Sequence, residues 1–164
     1  MTTASIKSTV KIRPATSADA AALGHFGALL VALHHELDPA RFIAATVNTP
    51  SGYANFLERE SSRGDAVVLV AEEDSTIVGY TYAALEGADY MSLRGPAGVI
   101  HDLFVDPARR RGGVGRMLFD AVVAEMDIRG AERIVLSTAY GNDAARRLFA
   151  SAGFRPTMVE MTRG

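Results

Sequence analysis

Apolar residues recur along the chain in two rhythms, and the rhythms alternate. Val10-Lys11-Ile12-Arg13 steps by two and stops at Pro14, which predicts a short strand. Thr16 then stands where a helix N-cap is expected, with Asp19 three residues on as its capping-box partner. Leu23, Phe26, Leu30, Leu33 and Leu37 follow at steps of three and four, one face of a helix that ends before Pro39. Asn48 to Gly52 reads as a loop, and Phe56 and Leu57 among charges predict a second helix near 52–62. The valine-rich run 66–71, the polar turn Glu72-Glu73-Asp74-Ser75 and the run 76–85 predict a β-hairpin. A glycine-containing loop leads to a strand at 98–105 that stops at Pro107. Val114, Met117, Leu118, Ala121 and Val122 share a helix face, with Gly130 as the stop. A short β run at 133–138, a helix from Asn142 to Gly153 with Leu148 and Phe149 facing inward, and a last strand at 154–162 complete the pattern. The order β-α-α-β-β-β-α-β-α-β is a mixed α/β (α+β) plan. No repeat or linker divides it, so a single domain over 1–164 is expected, with residues 1–9 a loose lead-in.

Composition narrows the function classes. The chain has 164 residues, 48% hydrophobic and 22% charged, the balance of one soluble globular domain. Seventeen Lys and Arg against nineteen Asp and Glu leave a formal charge of −2, with no basic excess for general nucleic-acid binding. The absence of cysteine removes disulfides, thiolate zinc sites and cysteine nucleophiles. No run approaches the roughly 20 apolar residues that span a bilayer, and Met1 to Val10 has no signal-peptide core. These features lead us to expect a cytoplasmic protein without membrane or nucleic-acid partners.

The densest chemistry lies where strand 98–105 meets the next helix. Between Asp106 and Arg116 stand four arginines against one aspartate, a net +3, together with Gly112, Gly113 and Gly115. A helix N-terminus has unpaired N–H groups and a partial positive charge, and glycines let another group approach them, so this join suits phosphate or pyrophosphate. A Walker A loop needs a lysine there, and the only lysines are Lys7 and Lys11. A dinucleotide fingerprint fails at its third glycine, where Leu118 stands. A glycine-rich turn with solvated arginines is the plainer alternative.

Three motifs in register go further. Arg110-Arg111-Gly112-Gly113-Val114-Gly115 resembles the R/Q-x-x-G-x-G/A acyl-CoA pyrophosphate loop of the GNAT acetyltransferase superfamily. Leu103-Phe104-Val105-Asp106-Pro107 is similar to the L-x-V-x-P end of that family's fourth strand. Asn142-Asp143-Ala144-Ala145-Arg146-Arg147-Leu148-Phe149 resembles N-x-x-A-x-x-L-Y/F, with Gly153-Phe154 after it. The resemblance is strong over 98–155 and rests on element order over 10–85.

It implies the GNAT fold, a mostly antiparallel sheet with splayed fourth and fifth strands flanked by helices, and acetyl-CoA as cosubstrate with no metal. Carried over, the Leu103-Phe104-Val105 stretch would meet the pantetheine arm, and the backbone of Leu103 would polarise the thioester carbonyl. The loop amides from Arg110 or Arg111 through Gly112, Gly113, Val114 and Gly115, with Arg116, would hold the pyrophosphate. Asn142 and Phe149 would border the pantetheine. Phe149 stands where many relatives carry a tyrosine acid, so the usual proton donor to the leaving thiolate is missing.

The implied activity is transfer of an acetyl group to a primary amine of a small molecule or peptide by direct attack. A homodimer is common in the family. His101 is a base candidate, or else a hydrogen-bonded strand histidine; Asp102 is adjacent, but strand alternation sends it to the opposite face unless a bulge intervenes. His34 and His35, at the end of the first helix, and Tyr80 and Tyr82, on one face of a strand, are candidate acceptor-lining residues; each is equally a helix-end or sheet residue. Tyr53 and Tyr90 read as loop residues. A CoA-binding module of the same fold with little or no catalysis is the competing reading, favoured by Phe149. An arginine-loop nucleic-acid binder is the third.

Overall fold

The computed structural model describes residues 9–164. The lead-in expected over 1–9 therefore lies, but for Thr9, outside the described residues. Five strands, β1 (Lys11–Pro14), β2 (Ala66–Glu73), β3 (Thr76–Glu86), β4 (Ala97–Val105) and β5 (Ile134–Leu136), form one sheet in sequential order. All neighbours pair antiparallel except β4 and β5, which are parallel and joined through a helix. The helices are α1 (Ala20–Leu37), α2 (Thr49–Ser61), α3 (Val114–Ile128) and α4 (Asp143–Ser151).

The sheet separates two apolar layers. On one face Val68, Val70, Tyr80 and Tyr82 meet Leu23, Phe26 and Leu30 of α1 and Leu57 of α2. On the other, Val67, Leu69 and Val78 meet Leu118, Phe119, Val122 and Met126 of α3, with Leu148 and Phe149 of α4 against the same cluster. Burial on both faces is why β2 reads as an unbroken valine-rich run instead of an alternating one. At the entry to α1, Asp19 accepts from the Thr16 backbone N–H (2.8 Å) and from the Arg13 guanidinium (2.8 and 3.0 Å), which ties β1 to the helix start. Arg13 holds the Asp19 carboxyl below the ordinary carboxylate range.

Two expectations fail. Residues 49–52 belong to α2, not to a loop, because Pro50 sits in the first turn, where its missing N–H has no helical partner to lose. Tyr53 is consequently a helix residue. The strand expected at 154–162 is absent. Phe154 still packs on Phe119, at 5.3 Å between ring centroids, but Pro156 lacks a ladder donor and Met158, Val159 and Met161 are exposed, so no apolar face is buried by strand pairing there. Arg41, in the loop after α1, forms an ion pair with Glu160 of this segment.

Candidate active site

The register between β3 and β4 slips once. Tyr82 pairs with Asp102 and Ala83 with Ile100, so His101 is the extra residue of a β-bulge. The bulge overturns strict alternation: His101 and Asp102 both border the cleft under α1 and α2, while Ile100 turns to the α3 layer. The cleft holds about 210 Å³. Its walls are Leu30, Val31 and His34 of α1, Tyr53 of α2, and Phe42 and Ile43 from the intervening loop.

Asp102 forms the floor, with only 9% of its surface exposed. The hydroxyls of Tyr53 (2.8 Å) and Tyr80 (2.9 Å) both donate to its Oδ2, and Oδ1 takes part in no hydrogen bond among the described residues. Burial raises the Asp102 carboxyl above the ordinary carboxylate range; the two tyrosine hydroxyls, then His101 and His34, oppose that rise. Burial first, then the Asp102 charge, raises the pKa of both Tyr53 and Tyr80, so the two phenols stay protonated donors. The Asp102 backbone is fixed as well, its carbonyl accepting from Thr81 Oγ1 at 2.7 Å.

His101 stands at the rim. Its Nε2 lies 2.5 Å from Glu86 Oε1, and its ring stacks on Tyr82 at 5.1 Å and 20°. A carboxylate partner makes Nε2 the protonated nitrogen and leaves the acceptor lone pair on Nδ1. Tyr82 itself is buried and donates to Glu60 Oε2 at 2.6 Å. Tyr80 and Tyr82 thus lie behind the cleft wall instead of lining it. His34 lines the cleft, its Nδ1 2.8 Å from the Leu30 carbonyl. His35 does not: its Nδ1 meets the Phe42 carbonyl (2.8 Å) and helps hold the loop.

On the far edge of β4 the sheet opens. The ladder to β5 runs from Gly98–Ile134 to Ile100–Leu136 and stops, whereas β4 continues to Val105. Asp106 N–H donates to the Val78 carbonyl of β3, so ladder alternation turns the main-chain groups of Leu103 and Val105 away from β3, into the gap. The side chains of Leu103 and Val105 pack toward α3, and Phe104 packs toward α1.

The loop beyond β4 ends in two left-handed residues, Arg111 (φ 69°) and Gly113 (φ 83°). Gly113 is the residue before α3, and the first bond of that helix runs from Met117 N–H to the Gly113 carbonyl. The N–H groups of Val114, Gly115 and Arg116 are left outside the helical ladder with no capping side chain over them. A Cβ on Gly115 would touch Val105 at 3.6 Å, so the helix start abuts the end of β4. Three of the arginines are engaged: Arg109 with Glu73 (2.9 Å), Arg110 with the Val105 carbonyl (3.2 Å) and over the Phe104 ring, and Arg116 with Asp120 (2.8 Å). Asn142 caps α4 by accepting from Ala145 N–H at 3.2 Å. Phe149 packs against Phe119 at 5.1 Å.

The Acetyltransferase (GNAT) family model matches residues 30–154. The chain belongs to this acetyltransferase family. Over 97 residues it is 36% identical to a mycothiol acetyltransferase of Thermobispora bispora, a match covering 57% of this chain and 31% of that protein. The chain thus corresponds to about a third of that relative's length. Among solved structures, a tetramutant of the BH1408 protein from Bacillus halodurans superposes with a TM-score of 0.80 at 24% identity, covering 94% of this chain and 99% of the other. A predicted acetyltransferase from Clostridium acetobutylicum, solved with acetyl-CoA, gives a TM-score of 0.73 at 18% identity, covering 94% of this chain and 96% of the other. Both share the fold: a GNAT sheet, mostly antiparallel, flanked by helices.

No sequence motif marks Val31, Phe42, Ile43, Tyr53 or Glu86 as site residues, and Leu30 reads there only as a helix core position. Gly24 and Gly27 carried a signal for Tyr53, since two small residues three apart on a helix mark a close neighbour. Among the described residues no helix is long and apolar enough to cross a membrane.

Proposed function

We propose that this protein is an acetyl-CoA-dependent N-acetyltransferase acting on a primary amine. The observation that carries the reading is that one strand, β4, presents two chemistries back to back. Asp102 offers an open carboxylate oxygen to the cleft, and the main chain of Leu103 and the N–H of Val105 face the gap beyond the end of the β5 ladder. The open N–H groups of Val114, Gly115 and Arg116 fit a pyrophosphate at the end of that gap. Acetyl-CoA in the Clostridium acetobutylicum neighbour supports the same cosubstrate.

In this reading Asp102 Oδ1 binds the incoming ammonium and accepts one proton, which frees the nitrogen lone pair. The nitrogen attacks the thioester carbon, the C–N bond forms and the carbonyl oxygen takes the negative charge beside a main-chain N–H of β4. Collapse breaks the C–S bond. The second proton on nitrogen passes to the departing sulfur or to water, giving the amide and free CoA. A simple thiol has a pKa of about 8.5, so thiolate departs without a strong acid, consistent with Phe149 in place of a tyrosine. Asp102 is favoured over His101 as base because it lies at the floor of the cleft with Oδ1 open to it, whereas His101 stands exposed at the rim, paired with Glu86.

The test is thiol release from acetyl-CoA with a pool of primary amines, beside thermal shift with CoA. Amine-dependent release with a rise in melting temperature is expected. A CoA-induced shift with no release from any amine would favour the binding-module reading, for which the missing phenol at Phe149 speaks.

A further inference from the structure

We infer that the acceptor is a small monoamine on an apolar body, such as an aralkyl or branched alkyl amine, and not a polyhydroxylated or polycationic one. The inference rests on the acetyl-transfer reading and narrows its substrate.

Among the described residues that line the cleft, one is anionic. Asp102 sits at its floor, and both tyrosine hydroxyls are spent on one oxygen of that carboxylate. Two other acids of the same layer are already paired: Glu86 with His101 and Arg94, Glu60 with Tyr82 and Arg63. A second ammonium inside the cleft would find no second carboxylate among the lining residues and would sit beside His34 and His101. A polycation is therefore disfavoured by an unpaired buried charge.

The walls are the second observation. Leu30, Val31, Phe42 and Ile43 supply hydrocarbon and no donors or acceptors. Two of their main-chain carbonyls are used: that of Leu30 by His34 Nδ1 and that of Phe42 by His35 Nδ1. A hydroxyl pressed against this wall loses water and gains no partner. The Phe42 wall is also fixed, its ring lying against His34 at 5.1 Å with the Arg41 guanidinium 4.8 Å over it.

Size is the third. About 210 Å³ is below the range of roughly 300–1,000 Å³ typical of drug-sized ligands. Ile43 stands at this cleft with 80% of its surface exposed, an apolar side chain that an acceptor's hydrocarbon body would cover.

The experiment compares 2-phenylethylamine, 3-methylbutylamine, glucosamine and spermidine at one acetyl-CoA concentration, with thiol release as the readout. We expect kcat/KM for the two apolar amines to exceed that for glucosamine and spermidine at least tenfold, about 1.4 kcal/mol. Ile43→Asn should raise KM for 2-phenylethylamine and leave the acetyl-CoA KM and the melting temperature unchanged. Equal or better turnover of glucosamine or spermidine overturns the substrate class and leaves acetyl transfer standing. No release from any of the four amines or from a wider pool, with CoA still raising the melting temperature, overturns the transfer reading and the substrate class with it.

Discussion

The ring of Tyr53 occupies the space that a side chain at residue 27 would need. A Cβ built on Gly27 would lie 2.1 Å from Tyr53 Cδ1, and one on Gly24 2.3 Å from the Pro50 carbonyl oxygen. The two glycines let α2 settle directly on α1, and that approach brings the Tyr53 hydroxyl to Asp102. Gly27→Ala should therefore displace Tyr53 and cost about 1–3 kcal/mol of stability, the usual range for overpacking. Kinetics should show kcat/KM for the amine falling with the acetyl-CoA KM unchanged. A variant with native stability and native amine kinetics would mean that the contact is not what positions Tyr53.

Asp102 sets activity against stability. Its carboxyl titrates higher in the fold than in the unfolded chain, where an aspartate has a pKa of about 3.9. Between the two values the folded state binds more protons, so stability falls as pH rises through that window. Asp102→Asn keeps an acceptor for both tyrosines and has nothing to ionise. The variant should match or exceed wild-type stability at pH 7 in denaturant melts, its advantage shrinking as pH falls through that window and gone below about pH 3.9. Its kcat should fall about 10²–10⁴-fold, the usual scale for a positioned base. His101→Ala should fall less. If His101→Ala is the more damaging change, the base assignment passes to the imidazole.

Removing one phenol should move the base without removing it. The Tyr53 hydroxyl lowers the Asp102 pKa by donating to Oδ2. In Tyr53→Phe that donation is gone, the carboxyl ionises at higher pH, and the acidic limb of kcat/KM for the amine should shift upward. A merely structural tyrosine would lower the plateau and leave the limb in place, so the pH profile separates the two.

The second half of the chain was legible because its signals are local. Residues 110–115 specify a turn and a helix start through glycine and positive φ, and Asn142 caps α4 where its motif put it. The acceptor side was not. The bulge at His101 depends on a register set by β3, and no residue within β4 announces it. Tyr53 looked like a loop residue because Pro50 and Gly52 read as breakers, whereas Pro50 falls in the first turn of α2 and Gly52 is tolerated within it. Phe154 does pack as the pattern implied, yet three residues of β5 and the proline at 156 leave little for a sixth strand to pair with.

The start of α3 makes a sharper forecast because Gly113 and Gly115 differ. Gly113 has φ 83°, and a Cβ there would meet nothing within 4 Å. A side chain at 113 therefore costs backbone strain of about 1–2 kcal/mol without a clash. Gly115 lies in the helix, and a Cβ there would make ordinary contact with Val105 at 3.6 Å and Leu148 at 3.9 Å. Gly115→Ala should accordingly leave stability and the acetyl-CoA KM close to wild type. Gly113→Glu should stay folded, since the added group points into open space, but it brings a negative charge to the N–H groups of Val114, Gly115 and Arg116. The acetyl-CoA KM should then rise at least tenfold, equivalent to about 1.4 kcal/mol of lost binding, while the KM for the amine is unchanged. Isothermal titration with CoA alone checks the binding part free of turnover. Wild-type affinity in folded Gly113→Glu would remove the start of α3 from the cosubstrate site and leave the gap beside Leu103 and Val105 to account for CoA binding alone.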